Sequence, residues 1–314
     1  VVTRALPRDA VAVLANACKL DINPSDTAYS PATLLDHARD AHALITLLTD
    51  RVDDALLAQC PHLKIVANVA VGYDNVDVEA ATRRGIAVTN TPGVLTDATA
   101  DFAWALLLAV VRRVVEADAY VRAGRFTEWK MMEFHGGDLA GRTLGIAGFG
   151  RIGQAVARRG RGFGMNVIYA NNRRASAALE DELGARAVDK ETLLASSDVL
   201  SLHLPLTAAT RHFVGAAEFA TMKSSAYLIN TARGPIVDEA AMVDALHSGA
   251  IRGAGLDVFE REPAVDAALL TMPNVVLAPH IGSATIETRM KMALIAVENV
   301  LAVLEGGAPL NPVR

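Results

Sequence analysis

Short apolar runs, each followed by a turn and a longer amphipathic stretch, alternate along most of the chain. The runs at residues 1–5, 42–48, 63–70 and 86–90 read as strands, with helices over 9–18 and 32–39 between them. A second series of strands is expected at 143–149, 166–171, 199–204, 226–231, 253–258 and 275–278. Strands alternating with helices imply parallel sheets covered on both faces, and right-handed crossovers make each series a doubly wound α/β unit. Residues 99–122, apolar at helical spacing, read as one helix joining the two series. Met290, Met292, Leu294, Ile295, Val297 and Val300 set out a last helix over 285–304, ended by Gly306 and Gly307. This helix is assigned to the first unit, which gives domains of residues 1–98 plus 286–314 and of residues 99–285.

Composition narrows the class. Of the 314 residues, 52% are apolar and 21% charged, enough for sizeable cores and against disorder. Thirty basic against 35 acidic residues leave a net charge of −5, which offers no field for nucleic acid. No apolar run reaches the ~18 residues of a membrane span, and no secretory signal opens the chain. The chain starts at Val1 without methionine, so a few leading residues are expected to be missing. Cys18 and Cys60 form no metal or redox spacing, which fits a reducing, cytoplasmic setting. His203, His212 and His280 lack metal-ligand spacing, so no metal is expected.

The strongest local signal is the turn Gly148-Phe149-Gly150-Arg151-Ile152-Gly153 between an expected strand and helix. In such a turn Gly148 permits the bend, Gly150 admits a pyrophosphate to the backbone, and Gly153 lets helix and strand close up. The helix start then offers unpaired N–H groups to the phosphates. An acidic residue normally ends the next strand to hold the ribose hydroxyls of NAD. Here that position reads Asn171, Asn172, Arg173 and Arg174, which favours the 2′-phosphate of NADP(H), with NAD(H) as the second possibility.

Arg233, Glu262 and His280 follow three expected strands of the second series, on the sheet edge that carries the glycine turn. Reducing a 2-oxo acid requires a cation for the carboxylate and carbonyl, which the planar guanidinium supplies. It also requires a proton donor near neutral pH, for which histidine is suited, and a carboxylate that orients the imidazolium. Glu260 is the rival to Glu262. His203 reads as a strand-end or cofactor-loop residue, and Trp129, Met131 and Met132 as surface or interface packing.

Six motifs in order make the sequence resemble the D-2-hydroxyacid dehydrogenases, particularly the glyoxylate and hydroxypyruvate reductases. They are residues 71–77, 90–97, the glycine turn, 231–239, 256–263 and 279–285, spread over nearly the whole chain. The resemblance implies two Rossmann- or flavodoxin-like domains, one binding substrate and one binding dinucleotide, with the active site in the cleft between them. It places the catalytic arginine, glutamate and acid/base histidine on Arg233, Glu262 and His280. It gives the substrate carboxylate to Val71 and Gly72, the substrate pocket to Leu95, the nicotinamide pocket to Thr99, and the nicotinamide carboxamide to Asp257. Arg151, Ile152, Pro205 and Thr231 complete the cofactor set. A homodimer and a small 2-oxo or 2-hydroxy acid substrate are also implied. A 2-ketogluconate reductase or another D-2-hydroxyacid dehydrogenase is the alternative, and a dinucleotide-sensing corepressor-like protein the alternative from another class.

Overall fold

A computed structural model describes residues 1–313. They divide into two units, Val1–Leu95 together with the stretch from Ala284 onward, and Thr96–Ser283. In the first unit β1 (Ala43–Thr46), β2 (Ile65–Asn68) and β3 (Ala87–Thr89) form a parallel sheet in the order β1-β2-β3. Every residue of β1 and β2 is buried, as in a sheet covered on both faces. Val2 bridges Ile45 on one side and Ile22 on the other, so the segments run Ile22, Val2, β1, β2, β3, a doubly wound order. The strand expected at 1–5 therefore shrinks to one bridging residue. Pro7 and the helix Arg8–Ala17 turn the chain out of the sheet before a longer ladder can form. The helix Ile286–Leu304 buries Ala293, Ala296, Val297 and Val300 against this sheet and the Arg8–Ala17 helix. Its start is fixed by Thr285, whose hydroxyl accepts the Thr288 N–H at 3.1 Å.

The second unit carries β4 (Thr143–Ala147), β5 (Asn166–Ala170), β6 (Ala185–Ala187), β7 (Val199–Leu202), β8 (Tyr227–Asn230), β9 (Gly253–Leu256) and β10 (Val275–Leu277). All are parallel, in the order β10-β9-β8-β7-β4-β5-β6. The order reverses between β7 and β4, the switch point at which ligands bind beyond the strand ends. Side chains alternate between faces. Leu144, Ile146 and Val199 join Trp104 and Val156 in one core, and Ala147, Leu200 and Leu202 join Phe219 and Leu246 in the other.

A second sequence expectation, the 99–122 helix, is also corrected. The helix over 99–122 is two helices, Thr96–Val111 and Val114–Arg122, because Arg113 takes left-handed backbone (φ 54°). The Val111 carbonyl, which a continuous helix would have used, instead accepts the Gly137 N–H at 3.2 Å. The strand β6, absent from the expected series, is three residues at the sheet edge, too short for its pattern to announce it. Among the described residues, no helix is long and apolar enough to cross a membrane and no group of three His, Cys, Asp or Glu is placed to hold a metal ion.

Candidate active site

The chain leaves β4 into a turn whose glycines are demanded by different neighbours. Gly148 has φ +91°, and a Cβ there would lie 2.6 Å from the carbonyl oxygen of His203. A Cβ on Gly153 would lie 2.2 Å from the Gly148 carbonyl, where helix and strand are closest. A Cβ on Gly150 would meet nothing within 4 Å. No protein atom requires a glycine at that position, whereas a phosphate brought against the backbone would. Gly150 caps the helix Arg151–Gly162 without a side-chain hydrogen bond, leaving the first-turn N–H groups of Arg151 and Ile152 facing outward from the strand edge. At the end of β8 the Thr231 hydroxyl is buried without a partner among the described residues. A bare cradle and an orphaned donor on one sheet edge fit a dinucleotide. Pro205, beyond β7, is exposed, and its carbonyl accepts the Thr210 hydroxyl at 2.6 Å.

The turn after β5 is braced from within. Asn171 accepts the Phe149 N–H at 3.2 Å and donates to the Arg173 carbonyl at 2.9 Å, tying this turn to the glycine turn. Arg174 donates to both carboxylate oxygens of Glu180, at 3.0 and 2.8 Å. The Tyr169 hydroxyl donates to the same carboxylate at 2.6 Å and accepts the Ala175 N–H at 2.9 Å. Arg174, followed by Tyr169, holds the Glu180 carboxyl down at about 2. Asn172 and Arg173 remain exposed, with no side-chain partner among the described residues. The sequence signalled the arginines but not Glu180 or Tyr169, whose roles depend on the helix Ala177–Leu183 folding back over β5.

Beyond β8, β9 and β10, three neighbouring strands, lie the residues expected to do the chemistry. The His280 Nδ1 lies 2.9 Å from a Glu262 oxygen, and the other Glu262 oxygen accepts the Phe259 N–H at 2.9 Å. Burial pushes the Glu262 carboxyl up, but His280, the Phe259 amide and the Arg233 charge together leave it below the usual carboxylate range. Glu260 faces elsewhere: it accepts from His212 at 2.8 Å and from the Glu239 N–H at 3.3 Å. His280 has left-handed backbone (φ 56°), which costs a non-glycine residue roughly 1–2 kcal/mol. Asp257 offsets that cost. Its carbonyl accepts the His280 N–H at 2.8 Å, and its carboxylate accepts Ile281 and Gly282 at 2.7 Å each. Burial still pushes the Asp257 carboxyl up. Thr99 lies against this turn, since a Cβ on Gly282 would be 3.5 Å from its methyl group.

Arg233 is set by a residue that the sequence reading missed. Asn230, buried at the end of β8, accepts the Ala232 N–H and donates to the Arg233 carbonyl, both at 3.0 Å. A buried asparagine closing an apolar strand was the available signal. His203 pairs with the Ser201 hydroxyl at 2.8 Å, and desolvation lowers its imidazole to about 3. In the first unit Val71 and Gly72 are half-buried on the loop after β2, and Leu95 is buried at the end of the unit's first segment.

Comparison with known proteins agrees with this chemistry. Residues 104–282 match the family model described as the D-isomer specific 2-hydroxyacid dehydrogenase, NAD binding domain. A glyoxylate reductase of Thermococcus litoralis is 52% identical, over 100% of this chain and 96% of its own length. A crystal structure of a protein from Thermus thermophilus superposes with a TM-score of 0.93 at 46% identity, covering 100% of this chain and 99% of the other. An NADPH-dependent glyoxylate/hydroxypyruvate reductase of Sinorhizobium meliloti, solved with NADP and malonate, gives 0.88 at 37% identity, covering 99% and 95%. With its glycine turn at the switch point and its histidine–glutamate pair on the same strand edge, the chain belongs to the D-isomer-specific 2-hydroxyacid dehydrogenases and is an NAD(P)-dependent dehydrogenase.

Proposed function

We propose that the protein reduces glyoxylate and hydroxypyruvate to the corresponding 2-hydroxy acids, preferring NADPH. The observation that carries this reading is the His280–Glu262 pair at 2.9 Å. Glu262 occupies Nδ1, so the imidazolium presents its Nε2–H outward, and that proton goes to the substrate carbonyl oxygen as it becomes a hydroxyl. Arg233 holds the carboxylate and polarises the carbonyl, while Val71 and Gly72 supply backbone N–H groups to the carboxylate. A bound nicotinamide dinucleotide supplies the hydride. Gly148, Gly150 and Gly153, with the N–H groups of Arg151 and Ile152, receive its pyrophosphate. Thr99, Pro205, Thr231 and Asp257 line its nicotinamide half; each Asp257 oxygen keeps a second lone pair beyond its turn-holding bond.

The cofactor preference rests on the turn after β5, which carries no acid to pair with a ribose 2′-hydroxyl. The bracing of Arg174 by Glu180 makes Arg173 the leading ligand of a 2′-phosphate, with Asn172 beside it. A homodimer is supported by the helix Val114–Arg122, which buries none of its residues, and by the exposed Phe126, Trp129, Met131 and Met132 that follow it. The unpaired Cys18 and Cys60 suit the cytoplasm. The test is kcat/KM for glyoxylate and hydroxypyruvate with each cofactor. Turnover of both acids with NADPH favoured supports the reading; no turnover of either, or equal use of NADH, removes the corresponding part.

A further inference from the structure

The loop after β2 carries a hydrogen-bond pattern that explains how it can meet an anion. Three successive carbonyls are turned into the protein. The Ala70 carbonyl accepts the Thr91 N–H at 2.8 Å. The Val71 carbonyl accepts the side-chain amide of Asn90 at 2.8 Å, and the Gly72 carbonyl accepts that of Asn68 at 3.0 Å. In a trans peptide the C=O of one residue and the N–H of the next point in opposite directions. Drawing those carbonyls inward therefore turns the N–H groups of Val71, Gly72 and Tyr73 the other way. None of the three has an acceptor among the described residues. Successive outward N–H groups make a concavity for an anion.

The two asparagines are themselves held. Asn68 is 1% exposed, accepts the Thr46 hydroxyl at 3.0 Å, and donates to Asn75 at 3.1 Å. Asn75 in turn donates to the carbonyls of Leu47 and Asp50, at 3.0 Å each. The amide of Asn68 is thus oriented by the end of β1 and by the loop that follows it. Asn90, just past β3, reaches across to Val71 from the opposite side.

We infer that Asn90 and Asn68 are positioning residues for substrate, holding the peptides at 71–73 with three N–H groups presented to the substrate carboxylate. This rests on the reading that the 71–72 loop binds that carboxylate. It adds the Tyr73 N–H as a third donor and names the side chains that keep all three in place. Since carboxylate binding is common to ground and transition states, disturbing it raises KM and leaves kcat.

The experiment compares the parent with Asn90→Asp and Asn68→Thr. Asn90→Asp keeps the size of the side chain but replaces a donor with a carboxylate that repels the Val71 carbonyl. Glyoxylate KM is read with kcat, oxalate binding to the NADPH-loaded protein by calorimetry, and NADPH Kd by fluorescence. The expected result is about a tenfold or larger rise in KM and in oxalate Kd, from losing an aligned hydrogen bond to a charged group. NADPH Kd stays level and kcat falls less than about twofold. An unchanged KM and oxalate Kd in Asn90→Asp overturns the inference, as does a loss of kcat and NADPH binding in step with KM. Gly72→Pro, which deletes one N–H outright, tests the underlying assignment separately. Oxalate binding intact in Gly72→Pro removes the loop as the carboxylate site; binding lost there but retained in Asn90→Asp leaves the loop and removes the asparagines.

Discussion

At the scale of single residues, the proton donor and the cation separate cleanly in what they are expected to do. On the proposed mechanism, His280→Ala removes the general acid while leaving the glycine turn untouched. Turnover should therefore fall by about 10²–10⁴-fold, with NADPH affinity unchanged in a fluorescence titration. Near-normal turnover with the parent's pH dependence would take His280 out of the mechanism. Arg233→Lys keeps the charge and loses the planar fork, so both KM and kcat should suffer. A lysine variant as active as the parent would refute the clamp. Both residues depend on unreactive neighbours: Asn230 fixes the Arg233 loop, and Asp257 holds His280 in left-handed backbone.

At the scale of elements, the proposed NADPH preference rests on the turn between β5 and the helix Ala177–Leu183. Its two arginines differ in commitment, so their variants should differ as well. Arg173→Ala is expected to lower kcat/KM for NADPH by about 10–100-fold, the worth of hydrogen bonds between charged groups, and to leave NADH nearly unaffected. Arg174→Ala should act more weakly on the NADPH/NADH ratio, because its guanidinium already spans both oxygens of Glu180. Steady-state kinetics with both cofactors distinguish the two. If Arg174→Ala shifts the ratio as far as Arg173→Ala, the bracing has been misread. Asn171→Asp should penalise both cofactors, because it keeps an acceptor for the Phe149 N–H but replaces the donor to the Arg173 carbonyl with a carboxylate oxygen that repels it.

Across the whole molecule, stability should fall in acid. The Glu180 carboxyl lies at about 2 when folded, against an ordinary 4.5, so its contribution is complete above pH 4.5 and is lost as pH falls toward 2. Glu262, also lowered, acts in the same direction, while Asp257, raised by burial, opposes them. Thermal midpoints between pH 3 and 6 should therefore drop for the parent and drop less steeply for Glu180→Gln. Parallel curves would show that Glu180 carries none of the acid sensitivity. The apolar surface of the helix Val114–Arg122 and the segment after it is expected to be covered by a second copy of the chain. Val115→Glu combined with Met132→Glu should shift the mass measured by light scattering from dimer to monomer. A parent that is monomeric would dismiss the proposal directly.

Much of this was legible in the sequence because it depends on local chemistry. The glycine turn has a fixed spacing, buried parallel strands read as unbroken apolar runs, and Thr285 and the glycines at 306 and 307 mark the ends of a helix. The proximity of Glu262 to His280 was expected from their places after neighbouring strands and the motif set Glu262 ahead of Glu260; in the folded chain Glu260 turns away to His212 and the Glu239 backbone. What the sequence left undetermined lies where distant segments compete for the same atoms. The 99–122 helix breaks because Gly137 takes the Val111 carbonyl, and the run at 1–5 pairs at one residue because a helix begins at Arg8. Arg174 and Arg173 are indistinguishable as letters and both are exposed; Glu180, on the helix Ala177–Leu183, pairs with the first and leaves the second without a side-chain partner among the described residues. The asparagines at 68 and 90 carry no motif of their own. Their role exists only because β2 and the end of β3 bring two amides to successive carbonyls of one loop, which a linear pattern does not encode.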